Sequence, residues 1–183
     1  TCSQSVATGF GRTGNRFAAD LVQPDILILG KALTGGYIGH AVTVADKKVF
    51  DGFYDDNPEH ALMHGPTFMG NALACSVALK SIEIFEREDY LSKAKNIERI
   101  AKREFENFSS PSVKGIRILG GCTCIECADP KFIKGFQEFA YERGVFNRPF
   151  LKYIYTMPPY IINEDELVKI FDIMKEWLNK NLA

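Results

Sequence analysis

No stretch of this 183-residue chain approaches the roughly 18 apolar residues of a membrane-spanning helix. Neither sign of charge is in excess. The formal net charge is −1, which removes the electrostatic case for nucleic acid or an anionic membrane surface. Internal repeats and low-complexity tracts are also absent. The five cysteines are an odd number and do not suggest a secreted disulfide framework at this length. A reducing, cytoplasmic setting is the corresponding expectation. The chain opens on Thr1 rather than Met, and its first residues do not read as a signal peptide. A processed or incomplete chain is expected, with incomplete favoured. What is present is globular, since an aromatic share of 12% exceeds what a disordered chain carries.

Residues 1–71 are glycine-rich and irregular around two short apolar runs. Ile26, Leu27, Ile28 and Leu29 form one, the pattern of a strand buried on both faces of a parallel sheet. Residues 41–45 read as a second such strand, and 51–68 as a loop. Asn71 can cap a helix that starts at Ala72. Helical spacing runs to Phe85 and resumes from Leu91 to Phe108. A break is expected near Asp89, giving one long bent helix or two in sequence. Residues 116–127 read as a strand. Asp129 and Pro130 open a helix carrying Phe132, Phe136 and Phe139, which Gly144 stops. One or two extended pieces fall within 145–155. Asn163 and Glu166 make a capping-box-like start to a last helix, with an apolar stripe over 167–178. The organisation is a piece of a parallel α/β domain, a connecting helix and a small α+β domain.

Gly9-Phe10-Gly11-Arg12-Thr13-Gly14 fits the dinucleotide pattern G-x-G-x-x-G, but the residues after it, through Pro24, make a poor helix. A glycine loop that lets backbones approach closely is the better reading. Gly30-Lys31 is not a Walker loop, because Asp25 and Ala32 stand where that loop needs Gly and Ser or Thr. Lys31 directly follows an apolar strand, where lysine is costly without a task. Desolvation makes an amine nucleophilic towards carbonyls, which suits a Schiff base with an aldehyde cofactor. The alternative is a solvated loop lysine. Cys122, Cys124 and Cys127 suggest metal ligation but lack a nearby fourth ligand. On a strand, Cys122 and Cys124 share one face and Cys127 takes the other, so small buried thiols and no metal are expected. His40, His60 and His64 lack ligand spacing and read as loop histidines, with His64 a candidate to line a site. Residues 63–71 place a hydroxyl and free backbone N–H groups ahead of a helix, where they could hold a phosphate or form only a rigid turn. Arg148-Pro149-Phe150 sets a guanidinium beside a rigid aromatic element, suited to a carboxylate or to a surface ion pair.

Taken together, these segments resemble one family. The string from Ala7 to Gly14, followed by residues 25–36, is similar to the cofactor-lysine region of the class III aminotransferases, pyridoxal-phosphate enzymes of fold type I. Residues 63–71, Arg148-Pro149-Phe150 and Met157-Pro158-Pro159-Tyr160 narrow the resemblance. They are similar to members that convert 8-amino-7-oxononanoate to 7,8-diaminononanoate in biotin biosynthesis, with S-adenosylmethionine as amino donor. The resemblance spans essentially the whole chain. It implies an α/β fold, with residues 1–84 as part of the large parallel-sheet domain and residues 85–183 as the C-terminal small α+β domain. The implied cofactor is pyridoxal 5'-phosphate. Lys31 would be the catalytic lysine, linked covalently to the cofactor and shuttling the proton. Pro66 and Thr67 would contact the cofactor phosphate across the interface of a homodimer. Gly65 would lie against substrate, Arg148 would bind the oxo-acid carboxylate, and Tyr155 would line the same pocket.

Two departures bear on these implications. The family carries an acidic pair where this chain has Gln4 and Ser5. The family's Asp pairs with the protonated pyridine nitrogen, whereas Gln4 can hydrogen-bond there without holding the charge. The family's N-terminal half, which supplies a backbone phosphate cup and a ring-stacking aromatic, has no counterpart in these residues. The chain is expected to be roughly the C-terminal half of the enzyme and not to transaminate alone. The alternatives are another class III aminotransferase acting on an ω-amino or diamino substrate, and a catalytically inactive remnant.

Overall fold

In a computed structural model of the chain, residues 1–180 are described. They form two compact units. The first comprises Thr1–Gly11 and Asn15–Leu91, and the second Arg12–Gly14 and the chain from Ser92 onward. The sequence places its boundary at 84/85; the structure divides at Leu91/Ser92 and assigns Arg12–Gly14 to the second unit. Residues 181–183 of the expected small domain lie outside the described residues.

In the first unit, Cys2–Gln4 (β1) pairs in parallel with Ile26–Leu29 (β2), and Val42–Ala45 (β3) pairs with β2 on its other side. The expected parallel arrangement holds for β1 and β2 only. β3 runs antiparallel, with Leu29 opposite Val42 and Ile26 opposite Ala45. Between β2 and β3 lies one short 3-10 turn, Lys31–Thr34, and no crossover helix that would return the chain for parallel pairing. Nor is β2 covered on both faces, since only Leu29 of its four residues is buried. A short helix, Lys47–Asp51 (α1), leads into the stretch expected as loop, and a 3-10 turn, Pro58–His60, lies within it.

Asn71 caps Ala72–Arg87 (α2) as expected, its Oδ1 accepting from the Ala74 N–H at 3.0 Å. Ala78 of α2 packs with Phe10 and Leu33, flanked by Phe17 and Phe85. Phe10 meets the edges of both phenylalanine rings, at 5.4 and 6.1 Å between centroids. Asp89, with φ +46°, then breaks the helical run, and Tyr90–Phe105 (α3) is a separate helix.

The second unit is built on an antiparallel sheet of Val113–Leu119 (β4), Cys122–Cys127 (β5) and Tyr153–Thr156 (β6). The single strand expected over 116–127 is therefore a hairpin. Its turn centres on Gly120, which takes φ +55° and lies so close to Thr13 and Gly14 that a Cβ would run into their backbone. The helix expected from Asp129 is likewise two pieces, a 3-10 turn at Pro130–Ile133 and Phe136–Glu142 (α4). Lys134 turns extended between them, with ψ 120°. Glu164–Lys180 (α5) starts with the expected reciprocal box. The Glu166 N–H donates to Asn163 Oδ1 at 2.8 Å, and the Asn163 N–H to Glu166 Oε2 at 3.3 Å.

One face of this sheet carries Ile116, Ile118, Ile125 and Ile154, which pack with α3, α4 and α5 into the main core. Phe171 sits at its centre, fully buried and edge-on to Phe105 at 5.2 Å. Phe171→Ala should leave a cavity costing about 3–5 kcal/mol. A fall in the urea midpoint of the second unit would register it, and an unchanged midpoint would show that this core can collapse around the loss.

Candidate active site

The parallel register of β1 and β2 sets Gln4 opposite Ile28, and the Ser5 N–H extends the pairing by donating to the Ile28 carbonyl at 3.0 Å. Both strands therefore end at one edge of the sheet, and Lys31 follows β2 after a single glycine. In open α/β sheets, ligands bind outside such carboxyl ends. Lys31 takes φ +51°, a left-handed conformation that costs a side-chain-bearing residue about 1–3 kcal/mol. The turn holding it there is tied down. Leu33 and Thr34 are buried, Thr34 Oγ1 donates to the Ile38 carbonyl at 2.6 Å, and Ser81 Oγ of α2 donates to the Ala32 carbonyl at 3.2 Å.

The expected desolvation of Lys31 is not found. Its side chain is exposed, although Leu29 and Gly30 directly before it are buried. Its ammonium has no ion pair or hydrogen bond among the described residues. Gln4 is exposed at the same edge and brings an amide, with no charge. Ser5 beside it is fully buried, and its Oγ has no partner among the described residues.

Gly65, Pro66 and Thr67 lie in one exposed loop, closed by a hydrogen bond from the Met69 N–H to the Pro66 carbonyl at 2.9 Å. Thr67 lies in this turn, ahead of α2, and its hydroxyl has no partner among the described residues. Met63 and Phe68, on either side, are 92% and 88% exposed. His64 is exposed in the same loop, His60 pairs with Asp55 at 2.6 Å, and His40 lies 4.0 Å from the Cys75 sulfur.

The glycine string behaves as a close-approach loop. The Gly9 N–H donates to the Ser5 carbonyl at 2.9 Å, and a Cβ on Gly9 would stand 2.8 Å from that oxygen. Arg12 has a role that its place in the string did not disclose. Its guanidinium donates to the carbonyls of Gly121 at 3.1 Å and Pro158 at 2.9 Å, and it lies 4.4 Å from the Tyr160 ring centroid. Two motifs distant in sequence thus meet through one side chain.

On β5, Cys122 and Cys124 share the face away from the core, and Cys127 points into it. All are free thiols. Burial pushes the Cys127 thiol up to about 11, so it is not a ready thiolate. Among the described residues, no group of three metal-binding side chains is assembled. Arg148 is exposed ahead of β6 and has no ion pair among the described residues. Tyr155 of β6 is half-buried opposite Cys124.

Sequence reasoning missed Glu126, which is 5% exposed on β5. Its carboxylate meets Lys152 at 2.8 Å, Arg117 at 2.8 Å and Lys114 at 3.2 Å. Hydrogen bonds from Lys152 and Arg117, then Lys114, lower its pKa to about 2. No local spacing announces this cluster, because Lys152 reaches it only through the β5–β6 pairing.

Residues 4–178 match the family described as Aminotransferase class-III. The chain belongs to the class III aminotransferase family. It is 40% identical over 178 residues to an adenosylmethionine-8-amino-7-oxononanoate aminotransferase of Buchnera aphidicola subsp. Acyrthosiphon pisum, covering 96% of this chain and 41% of that protein. The similarly named protein of Corynebacterium glutamicum is 40% identical over 168 residues, or 90% of this chain and 40% of that protein. The crystal structure of the Methanocaldococcus jannaschii protein of that name superposes with a TM-score of 0.83 at 32% identity, covering 97% of this chain and 45% of that one. The fold is therefore that of part of a fold type I aminotransferase, and the chain spans about two fifths of the length of these relatives.

Enzymes of this family use pyridoxal phosphate. The Lys31 ammonium, on a strained, anchored turn, fits its aldehyde and the Thr67 hydroxyl fits its phosphate, both being without partners among the described residues. Gln4 fits a hydrogen-bonded ring nitrogen but not a charged one.

Because the Glu126 pKa lies below its ordinary value of 4.5, its ion pairs stabilise the fold fully above that value and lose their effect as pH falls towards about 2. Glu126→Gln should lower the Tm at pH 7 and flatten its decline between pH 4.5 and 2. An unaltered slope would show that the three cations contribute nothing to acid stability.

Proposed function

We propose that this chain carries the reactive-lysine and carboxylate-binding parts of an aminotransferase that converts 8-amino-7-oxononanoate to 7,8-diaminononanoate, with S-adenosylmethionine as the amino donor. The complete enzyme would work as a cytoplasmic homodimer in biotin biosynthesis. The observation that carries the reading is Lys31, a side-chain-bearing residue held at φ +51° at the carboxyl edge of a parallel strand pair, with its amine unpaired among the described residues. The 40% identity to relatives named for this reaction supports the choice of substrates.

Pyridoxal phosphate, when bound, supplies an aldehyde and an electron-withdrawing ring that acidifies the carbon bearing the amino group. Lys31 Nζ takes the proton from Cα of S-adenosylmethionine and, in the second half-reaction, delivers one to C7 of the oxo-acid. Arg148 accommodates the oxo-acid carboxylate with two parallel N–H donors, a geometry that lysine lacks. Tyr155 lines that pocket. Gly65, in the exposed loop, lies against substrate. Pro66 and Thr67 hold the phosphate, and the exposed Met63 and Phe68 beside them suit a homodimer contact.

A second reading, a catalytically inactive copy, is favoured by one observation: Gln4 and Ser5 stand where the family's acidic pair is expected. A chimera separates the two readings, with residues 4–178 replacing the matching segment of the Corynebacterium glutamicum protein. The transaminase reading expects diaminononanoate from the chimera, rising about 10²–10³-fold on Gln4→Asp as a charged partner is restored. No product from either form would favour the inactive copy. In the Gln4→Asp chimera, Arg148→Lys should raise KM for the oxo-acid more than it slows amino-group transfer from S-adenosylmethionine. Equal damage to both half-reactions would mean that Arg148 holds structure rather than substrate.

A further inference from the structure

The turn that follows Arg148 is anchored by a side chain on a different strand. Phe150 and Tyr153 exchange both backbone hydrogen bonds, at 2.9 and 2.8 Å, and Leu151 between them is left-handed at φ +54°. Such a turn is strained and needs support from outside itself. That support comes from Lys152, the other central residue. Its carbonyl accepts from the Cys127 N–H at 2.9 Å, and its Nζ reaches the Glu126 carboxylate at 2.8 Å. Glu126 is itself fixed. It lies opposite Tyr153 in the β5–β6 register, it is 5% exposed, and its oxygens are also held by Arg117 and Lys114 of β4. A carboxylate this enclosed is costly to keep unless its partners stay in place. From the pinned Phe150, the rigid Pro149 leads directly back to Arg148.

We propose that Glu126 is the positioning residue for the carboxylate-binding segment, holding Arg148 in place by pinning the 150–153 turn through Lys152. The proposal rests on the reading of Arg148 as the carboxylate binder. Glu126 itself touches no substrate; its work is to convert the rigidity of the three-stranded sheet into a fixed origin for a long, exposed arginine. Arg117 and Lys114 keep the carboxylate charged and oriented, and Lys152 transmits its position to the turn.

The test uses the full chain, with 8-amino-7-oxononanoate as the probe and two readouts: amide hydrogen exchange, and probe binding followed by NMR titration. Lys152→Met leaves Glu126 with two cations and is expected to fold. It should speed exchange of the Phe150 and Tyr153 amides by about tenfold or more, as expected for loss of a charge-assisted hydrogen bond, while the β4–β5 amides stay protected. Probe binding should weaken by a similar factor, and Lys152→Arg should restore both. Glu126→Gln should reproduce the effect more strongly. Exchange at Phe150 and Tyr153 that is unchanged in Lys152→Met, or accelerated equally across β4, β5 and β6, would overturn the proposal. Arg148→Ala separates the two readings, because it should abolish probe binding without altering exchange. Unchanged binding in Arg148→Ala would refute the arginine's assignment and, with it, the purpose given to Glu126.

Discussion

The parallel pairing of β1 with β2 decides where reactive groups can stand in the first unit. Parallel strands end together, so a register that sets Gln4 opposite Ile28 also brings the residue after Gly30 out at the same edge. Had β1 paired antiparallel, Gln4 and Lys31 would leave from opposite ends. The left-handed backbone of Lys31 is sustained because Leu33 is clamped against Ala78 and Phe10. The hydrogen bonds of Thr34 and Ser81 then close the turn from within and from α2. The strain at Lys31 falls on a residue with proposed chemistry, and burial of Leu33 and Thr34 beside it over-determines it.

The second unit solves a different problem with a two-faced sheet. Its inner face is apolar and supplies the anchor of isoleucines against three helices. Its outer face carries Cys124, Tyr155 and the Glu126 network, so the polar side of the sheet is rigid because the apolar side is packed. Arg12 adds a second tether on this unit, binding the Gly121 and Pro158 carbonyls.

Much of this is legible where one short pattern decides one local structure. The four-residue apolar run is β2 to the residue, Asn71 and the Asn163–Glu166 pair are working caps, and the break near Asp89 separates two helices. The differences between expectation and structure share a cause. Gly120-Gly121 falls inside a run that reads as one strand, although a glycine pair between β-forming runs is a hairpin signal. The direction of β3 depends on how the chain returns after Lys31, which local periodicity does not encode. Phe132 and Phe136 both face the core, which mimics one helical stripe where Lys134 in fact turns the chain. Among the proposed site residues, Lys31 stands out in the sequence through its position after a strand, yet strain stands where desolvation is expected. Glu126 and the tether of Arg12 are invisible in the sequence because their partners come from other strands and loops, and only tertiary pairing brings such charges together.

The central claim is that Lys31 is the amine that reacts with the cofactor. The direct measurement is borohydride reduction of the Gln4→Asp chimera after loading with pyridoxal phosphate, followed by peptide mapping of the reduced adduct. The predicted result is a single pyridoxyl group on Lys31, absent from the Lys31→Ala form. Labelling of another lysine at equal yield, or labelling that persists undiminished in Lys31→Ala, would contradict it.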